Sequence, residues 1–168
     1  DGSLPLVDLE YNLGNSGGGF DKIRFVAPDP DAYLDTDDRD IDTGLELNKR
    51  GDGRPCKKLS LPCYGGGMSF GSTALNVIVG RARAATRLNT LMSTGEGGYP
   101  EELMPYKDHV ITQVATGLFG VGEKTIRCTP VVEFKYAQGA KPGLGGHLLG
   151  DKVTPKVAAM RETVVGNA

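Results

Sequence analysis

The sequence runs to 168 residues, enough for one domain with its own core. A formal net charge of −2 and a pI near 5.7 leave no basic footprint for nucleic acid or an anionic membrane surface. No apolar run approaches the roughly 20 residues of a membrane span, and no secretory signal is visible, so a cytoplasmic protein is expected.

Glycine is abundant, 25 residues without a fixed period, which points to ligand-facing loops rather than to collagen or linker. Residues 1 to 20 read as an extended arm after the short run Leu4-Pro5-Leu6-Val7. Ile23-Arg24-Phe25-Val26 is a strand candidate stopped by Pro28 and Pro30. The acidic stretch from Asp29 to Asp42 lacks the glycine and terminal glutamate of a calcium loop at the required offsets, and reads as a solvated loop. Lys49 to Lys58 is basic and turn-forming, which places a boundary near residue 57. It separates an irregular N-terminal extension (1–57) from a region of regular alternation (58–168).

Within that second region strands and helices alternate. Leu59-Ser60-Leu61-Pro62-Cys63 predicts a first strand, and Ser72 or Thr73 can cap a helix reaching Arg87. Thr90 to Ser93 predicts a second strand, opening into Gly95-Glu96-Gly97-Gly98. Val110 to Val114 predicts a third, then a short helix around Glu123 to Arg127. Val131 to Lys135 predicts a fourth, and Thr154-Pro155 starts a last helix carrying Arg161. Four strand–loop–helix units imply parallel strands with crossovers. A whole eight-fold barrel takes about 250 residues. The fold class expected is therefore α/β: a (β/α)8 TIM barrel of which this chain supplies roughly the first four units, the other four being missing here or supplied by another chain. Such a half should bind a phosphate-bearing cofactor poorly on its own, because barrels usually seat phosphate at the loops after strands seven and eight.

After the fourth strand comes Tyr136-Ala137-Gln138-Gly139-Ala140-Lys141-Pro142-Gly143-Leu144-Gly145-Gly146-His147. Its glycines and proline forbid regular structure and let the backbone approach a ligand closely. This loop, with Gly67-Met68-Ser69-Phe70-Gly71, Ser93-Thr94-Gly95-Glu96-Gly97-Gly98 and Gln113-Val114-Ala115-Thr116-Gly117-Leu118-Phe119-Gly120-Val121, resembles the FMN-binding barrel of glutamate synthases. The resemblance runs in unbroken order from about Leu59 to Arg161.

The resemblance implies an FMN-dependent flavoprotein of glutamate biosynthesis and amino-acid metabolism. It would act as an oxidoreductase that aminates 2-oxoglutarate to glutamate with hydride from reduced FMN. Met68, Ser69, Ser93, Gln113 and Lys135 would line the flavin. Lys141, His147 and Arg161 would bind substrate, and Glu96 and Lys135 would be catalytic. Glutaminase and electron-donor subunits or domains are the implied partners, making this a complex subunit. The family's three-iron cluster has its cysteines beyond the matched region, so an iron–sulfur cluster is expected only outside this chain.

Each of these residues also has a bland reading. Lys135 can end its strand with the head in solvent, Glu96 can face water, and Arg161 can be a helix-surface charge near a C-terminus. Against that, an inward lysine can stabilise negative charge on a reduced flavin, and a guanidinium fork meets a carboxylate bidentately. Cys56, Cys63 and Cys128 fit no zinc or iron–sulfur spacing, and no metal site is expected. No Gly-x-Gly-x-x-Gly fingerprint comes after a strand, so NADPH oxidation is expected elsewhere. No N-terminal cysteine nucleophile is present, so glutamine hydrolysis is expected of a partner.

Four positions depart from the family. His147 stands for glutamine, Leu144 for glutamate, Leu118 for arginine and Ser93 for asparagine. These departures leave room for an N-methylglutamate-synthase-like subunit, or for a non-catalytic flavin or electron-relay subunit.

Overall fold

The computed structural model describes residues 38–137 and 145–167. The chain divides into two compact units, Asp1–Ile41 and Asp42–Ala168. Of the first, only a short 3-10 turn, Asp38–Asp40, and Ile41 are described. The strand expected at Ile23 to Val26 and the acidic stretch up to residue 37 lie outside the described residues. All other elements belong to the second unit.

That unit opens with a hairpin. Strand β1 (Leu45–Leu47) pairs antiparallel with β2 (Lys57–Leu59), with Leu45 opposite Leu59 and Leu47 opposite Lys57. The basic segment expected as a boundary is the hairpin's connecting loop, so residue 57 falls inside a paired element. Leu47 and Leu59 pack onto Leu91, Ile111 and Val131, which lie at or beside the N-terminal ends of the parallel strands. The hairpin thus covers the end of the sheet opposite the glycine-rich loops.

The expected first strand at Leu59 to Cys63 is not formed. Leu59 belongs to the hairpin, and Pro62 has no N–H to give to a ladder. The chain runs beside Asn89 to Met92 through separate contacts instead. Ser60 N–H donates to the Asn89 carbonyl at 2.9 Å, and Gly65 forms an isolated parallel bridge with Met92.

Helix α1 (Leu75–Arg87) buries Ile78, Ala82 and Ala85, spaced along one face. Its N-cap is Ala74, without a side-chain cap; the hydroxyls of Ser72 and Thr73 donate to the Ser69 carbonyl. Strand β3 is short (Met92–Ser93), β4 spans Val110–Val114 and β5 spans Val131–Phe134. They form one parallel sheet in sequence order, with Met92 opposite Val110 and Gln113 opposite Glu133. All five residues of β4 are buried, as expected of a strand flanked on both sides in a parallel sheet. Helix α2 (Glu123–Arg127) comes after β4, and helix α3 (Pro155–Arg161) after β5. Thr154 caps α3 by accepting from Val157 N–H, with Pro155 in the first turn as the Thr-Pro pair predicts.

The nine-residue 3-10 helix Glu101–His109 was not legible in the sequence. Pro105 within it disfavours α-helix, and Leu103 anchors it against α1 in the main apolar cluster. The fold class is thus mixed α/β with small sheets. Among the described residues neither sheet closes on itself, and no helix is long and apolar enough to cross a membrane.

Lys156 at the start of α3 pairs with Glu102 in the 3-10 helix. The hydrogen bond from Lys156 is the largest cause holding the Glu102 carboxyl below its ordinary 4.5, while slight burial opposes it. A carboxyl depressed in the folded state contributes stability that is present above 4.5 and lost as pH falls through its folded value. Both side chains are more than a third exposed, so solvent screening keeps the effect small. Lys156→Met should therefore lower urea stability slightly at pH 7, and by less as pH falls below 4.5. An equal loss across that range would place the effect in packing.

Candidate functional site

The parallel register brings the C-terminal ends of the strands to one rim. Four loops meet there: residues 66–71, 94–100, 115–122 and the return at Gly145–Leu148. Glycine permits the contact. A methyl on Gly95, where φ is +68°, would stand 2.7 Å from the backbone nitrogens of Met68 and Ser69. A methyl on Gly67 would meet Gln113 Nε2 at 2.9 Å and Gly95 Cα at 3.1 Å.

Between these loops lies a cavity of about 740 Å³, within the roughly 300–1,000 Å³ usual for small-molecule sites. Met68, Ser69, Glu96, Gln113, Lys135, His147 and Arg161 all line it. Ser93 does not. It is fully buried in β3, and its Oγ accepts from Gly95 N–H at 3.2 Å, which supports the Glu96 loop from behind. Lys141 and Leu144 lie outside the described residues. Leu118 adopts a left-handed conformation with its side chain largely exposed, and it is not among the cavity-lining residues.

The charged groups are interlocked. Lys135 comes directly after β5, its N–H still donating to the Val114 carbonyl at 3.0 Å. Its ammonium pairs with Glu96 Oε1, and both side chains are largely withdrawn from solvent. Glu96 Oε2 accepts from Gly146 N–H at 2.6 Å. One carboxylate thereby ties the β3 loop to the end of β5 and to the returning glycine loop. Burial lowers the pKa of the Arg161 guanidinium, and attraction to Glu96 acts in the opposite sense. The group remains a cation at any working pH.

Glu133 also lines the cavity and was not singled out from the sequence. The signal was there: side chains alternate along a strand, so an inward Lys135 implies an inward Glu133 two residues earlier. Gln113 Nε2 donates to Glu133 Oε1 at 2.7 Å across the paired positions of β4 and β5. Gln113 Oε1, Glu133 Oε2 and Arg161 Nε are buried without hydrogen-bond partners. Buried polar groups are normally paired, so three unpaired ones at one cavity mark a place built for polar ligand groups. No cluster of metal-ligating side chains occurs among the described residues. Cys56, Cys63 and Cys128 are free thiols.

A family model described as the conserved region in glutamate synthase matches residues 30–168. The match begins well before Leu59, where the motif resemblance starts. An archaeal-type NADPH glutamate synthase of Thermotoga neapolitana is 44% identical over 130 residues, 73% of this chain and 26% of the relative. The archaeal NADPH glutamate synthase of Methanocaldococcus jannaschii is 49% identical over 107 residues, 64% of this chain and 21% of the relative. A glutamate synthase large subunit-like protein of Rhizobium meliloti is 32% identical over 148 residues, 88% of this chain and 33% of the relative. The chain therefore spans about a fifth to a third of the length of these relatives.

Proposed function

The chain belongs to the glutamate synthase family, and from that premise we propose that it supplies the first four β/α units of an FMN-binding (β/α)8 barrel. In that barrel 2-oxoglutarate is reductively aminated to glutamate. The reading rests on one observation above all. Groups suited to a flavin and to a dicarboxylate, drawn from the 66–71 and 94–100 loops, from strands β4 and β5 and from the residues that come after β5, line a single cavity at the C-terminal ends of the strands.

The residues present fit the ring of the cofactor. The unpaired Gln113 oxygen is an acceptor for an imide N–H, and the bare backbone at Gly67 lets its loop close onto Gln113 Nε2 and Gly95. Met68, Ser69, Gln113 and Lys135 would hold it, with Ser93 supporting from beneath. When bound, FMN supplies the hydride that reduces the imine of 2-oxoglutarate and ammonia. Lys135 contributes positive charge beside the ring. Arg161 and His147, with Lys141, bind the substrate carboxylates. Glu96 takes a proton from the incoming amine nitrogen, and its grip on Gly146 N–H positions the substrate loop. Ammonia and reducing equivalents come from glutaminase and electron-donor domains or subunits, where any iron–sulfur cluster would also lie.

His147 favours a second reading, because an imidazole in place of an amide changes how the substrate is addressed. The substrates would then be those of an N-methylglutamate synthase. The test uses the complete protein with its flavin reduced anaerobically. Addition of 2-oxoglutarate and ammonia should reoxidise the flavin and yield glutamate. Turnover only when methylamine replaces ammonia would favour the second reading. Stoichiometric FMN without turnover on either amine would leave an electron-relay subunit.

A further inference from the structure

Phe119 lies in the loop between β4 and α2, a half-buried ring that belongs to none of the three apolar clusters among the described residues. A phenylalanine that fills no core needs another reason to be held in place. Its surroundings supply one. The Arg161 guanidinium carbon stands 5.2 Å from the centroid of the Phe119 ring, inside the roughly 6 Å of a cation–π contact. The edge of the same ring lies against two glycines from different loops. A methyl on Gly117 would meet it at 2.5 Å, and one on Gly145 at 3.4 Å. Side chains at either position would crowd the ring that faces Arg161.

Gly97 makes the complementary contact. A methyl there would lie 2.6 to 2.7 Å from Nη2, Cζ and Nε of Arg161 alike. Near-equal distances to three atoms of a planar group put Gly97 over its face, not at its edge. Its φ of +101° is open to glycine and strained for other residues. With aromatic and backbone neighbours restricting the plane, the hydrogen-bonding edges are what a ligand can use. Nε remains without a partner.

We infer that Phe119 is a positioning residue for substrate recognition. With Gly97, it fixes the plane of the Arg161 guanidinium so that its fork meets one carboxylate of a 2-oxo dicarboxylic acid. This rests on the role given to Arg161 above and goes beyond it. The ring is not among the residues that line the cavity, and it acts through the arginine. A flexible cation would bind a carboxylate in many geometries, whereas a fixed planar fork binds in one.

The experiment titrates 2-oxoglutarate into the FMN-loaded complete protein, for wild type and for Phe119→Leu, Phe119→Tyr and Arg161→Gln. Leucine keeps most of the apolar volume and has no π face, while tyrosine keeps the face. Phe119→Leu should weaken 2-oxoglutarate on the order of tenfold, in Kd and in KM. Its kcat and FMN content should stay close to wild type. Phe119→Tyr should bind within about threefold of wild type on the same scale. Phe119→Met serves as the ringless variant if the leucine variant does not fold.

Normal binding in the ringless variant, with Arg161→Gln impaired, would overturn the positioning role and leave Arg161 as a ligand. Normal binding in Arg161→Gln would remove the arginine from recognition, and this inference with it. Equal losses for leucine and tyrosine would overturn the π-face argument, since a purely steric role requires neither.

Discussion

Lys135→Met is expected to slow turnover strongly in the complete protein and to destabilise the domain at the same time, for two separable reasons. The ammonium is paired with Glu96, and the two side chains are only 20% and 10% exposed. Removing it leaves a carboxylate withdrawn from water, with Gly146 N–H still donating to its other oxygen. Breaking such a pair from one side costs about 3 kcal/mol, because the surviving charge keeps its desolvation penalty and loses its ion-pair partner. Loss of a positioned charge beside the reacting groups should lower kcat by about 100- to 1,000-fold.

The double variant Lys135→Met/Glu96→Gln separates these effects. It should recover most of the lost stability, since position 96 then carries no charge to be buried without Lys135, and none of the activity. Urea denaturation and steady-state kinetics on the same preparations give both readings. Recovery of activity in the double variant would show that the lysine serves only to neutralise Glu96. Loss of stability equal to that of the single variant would show that the pair contributes through packing.

Gly95→Ala should be strongly damaging. The methyl would meet backbone atoms of Met68 and Ser69 at 2.7 to 2.8 Å, and backbone cannot rotate aside as a flexible side chain does. The left-handed φ of +68° adds its own strain for an L-residue. Together these should cost about 3 kcal/mol, and the two loops that meet at the cavity floor would be forced apart. Gly80→Ala is the internal control. Gly80 lies exposed in α1 with nothing within 4 Å of an added methyl, so alanine there should raise stability by about 1 kcal/mol. The two variants should shift the thermal midpoint in opposite directions, and only Gly95→Ala should lose ligand affinity. A Gly95→Ala protein of normal midpoint and affinity would mean that the 66–71 loop can give way.

Strand β4, helix α2 and the Thr154-Pro155 start of α3 were all legible because each carries a local signal: a continuous β-forming run, a short polar helix, and a capping hydroxyl before proline. The expected first strand fails for a physical reason. Leu59 to Cys63 has the composition of a strand, yet Leu59 is claimed by the hairpin and Pro62 cannot donate. The 3-10 helix at Glu101–His109 has weak periodicity and an internal proline, so its form comes from packing on α1 more than from its own pattern.

By itself, the sequence determined the family, the parallel order of the later strands and the loops in which the charged residues stand. These depend on residue identity and short-range periodicity, which are properties of neighbours along the chain. Only the tertiary structure decided that Glu96 meets both Lys135, 39 residues away, and Gly146, 50 residues away. It also decided that Glu133 joins Gln113 on the cavity wall and that Phe119 faces Arg161. Contacts of that range carry no periodic trace in the sequence. They exist because a parallel register brings successive loops to one rim, and because glycine at their contact points lets backbone touch backbone.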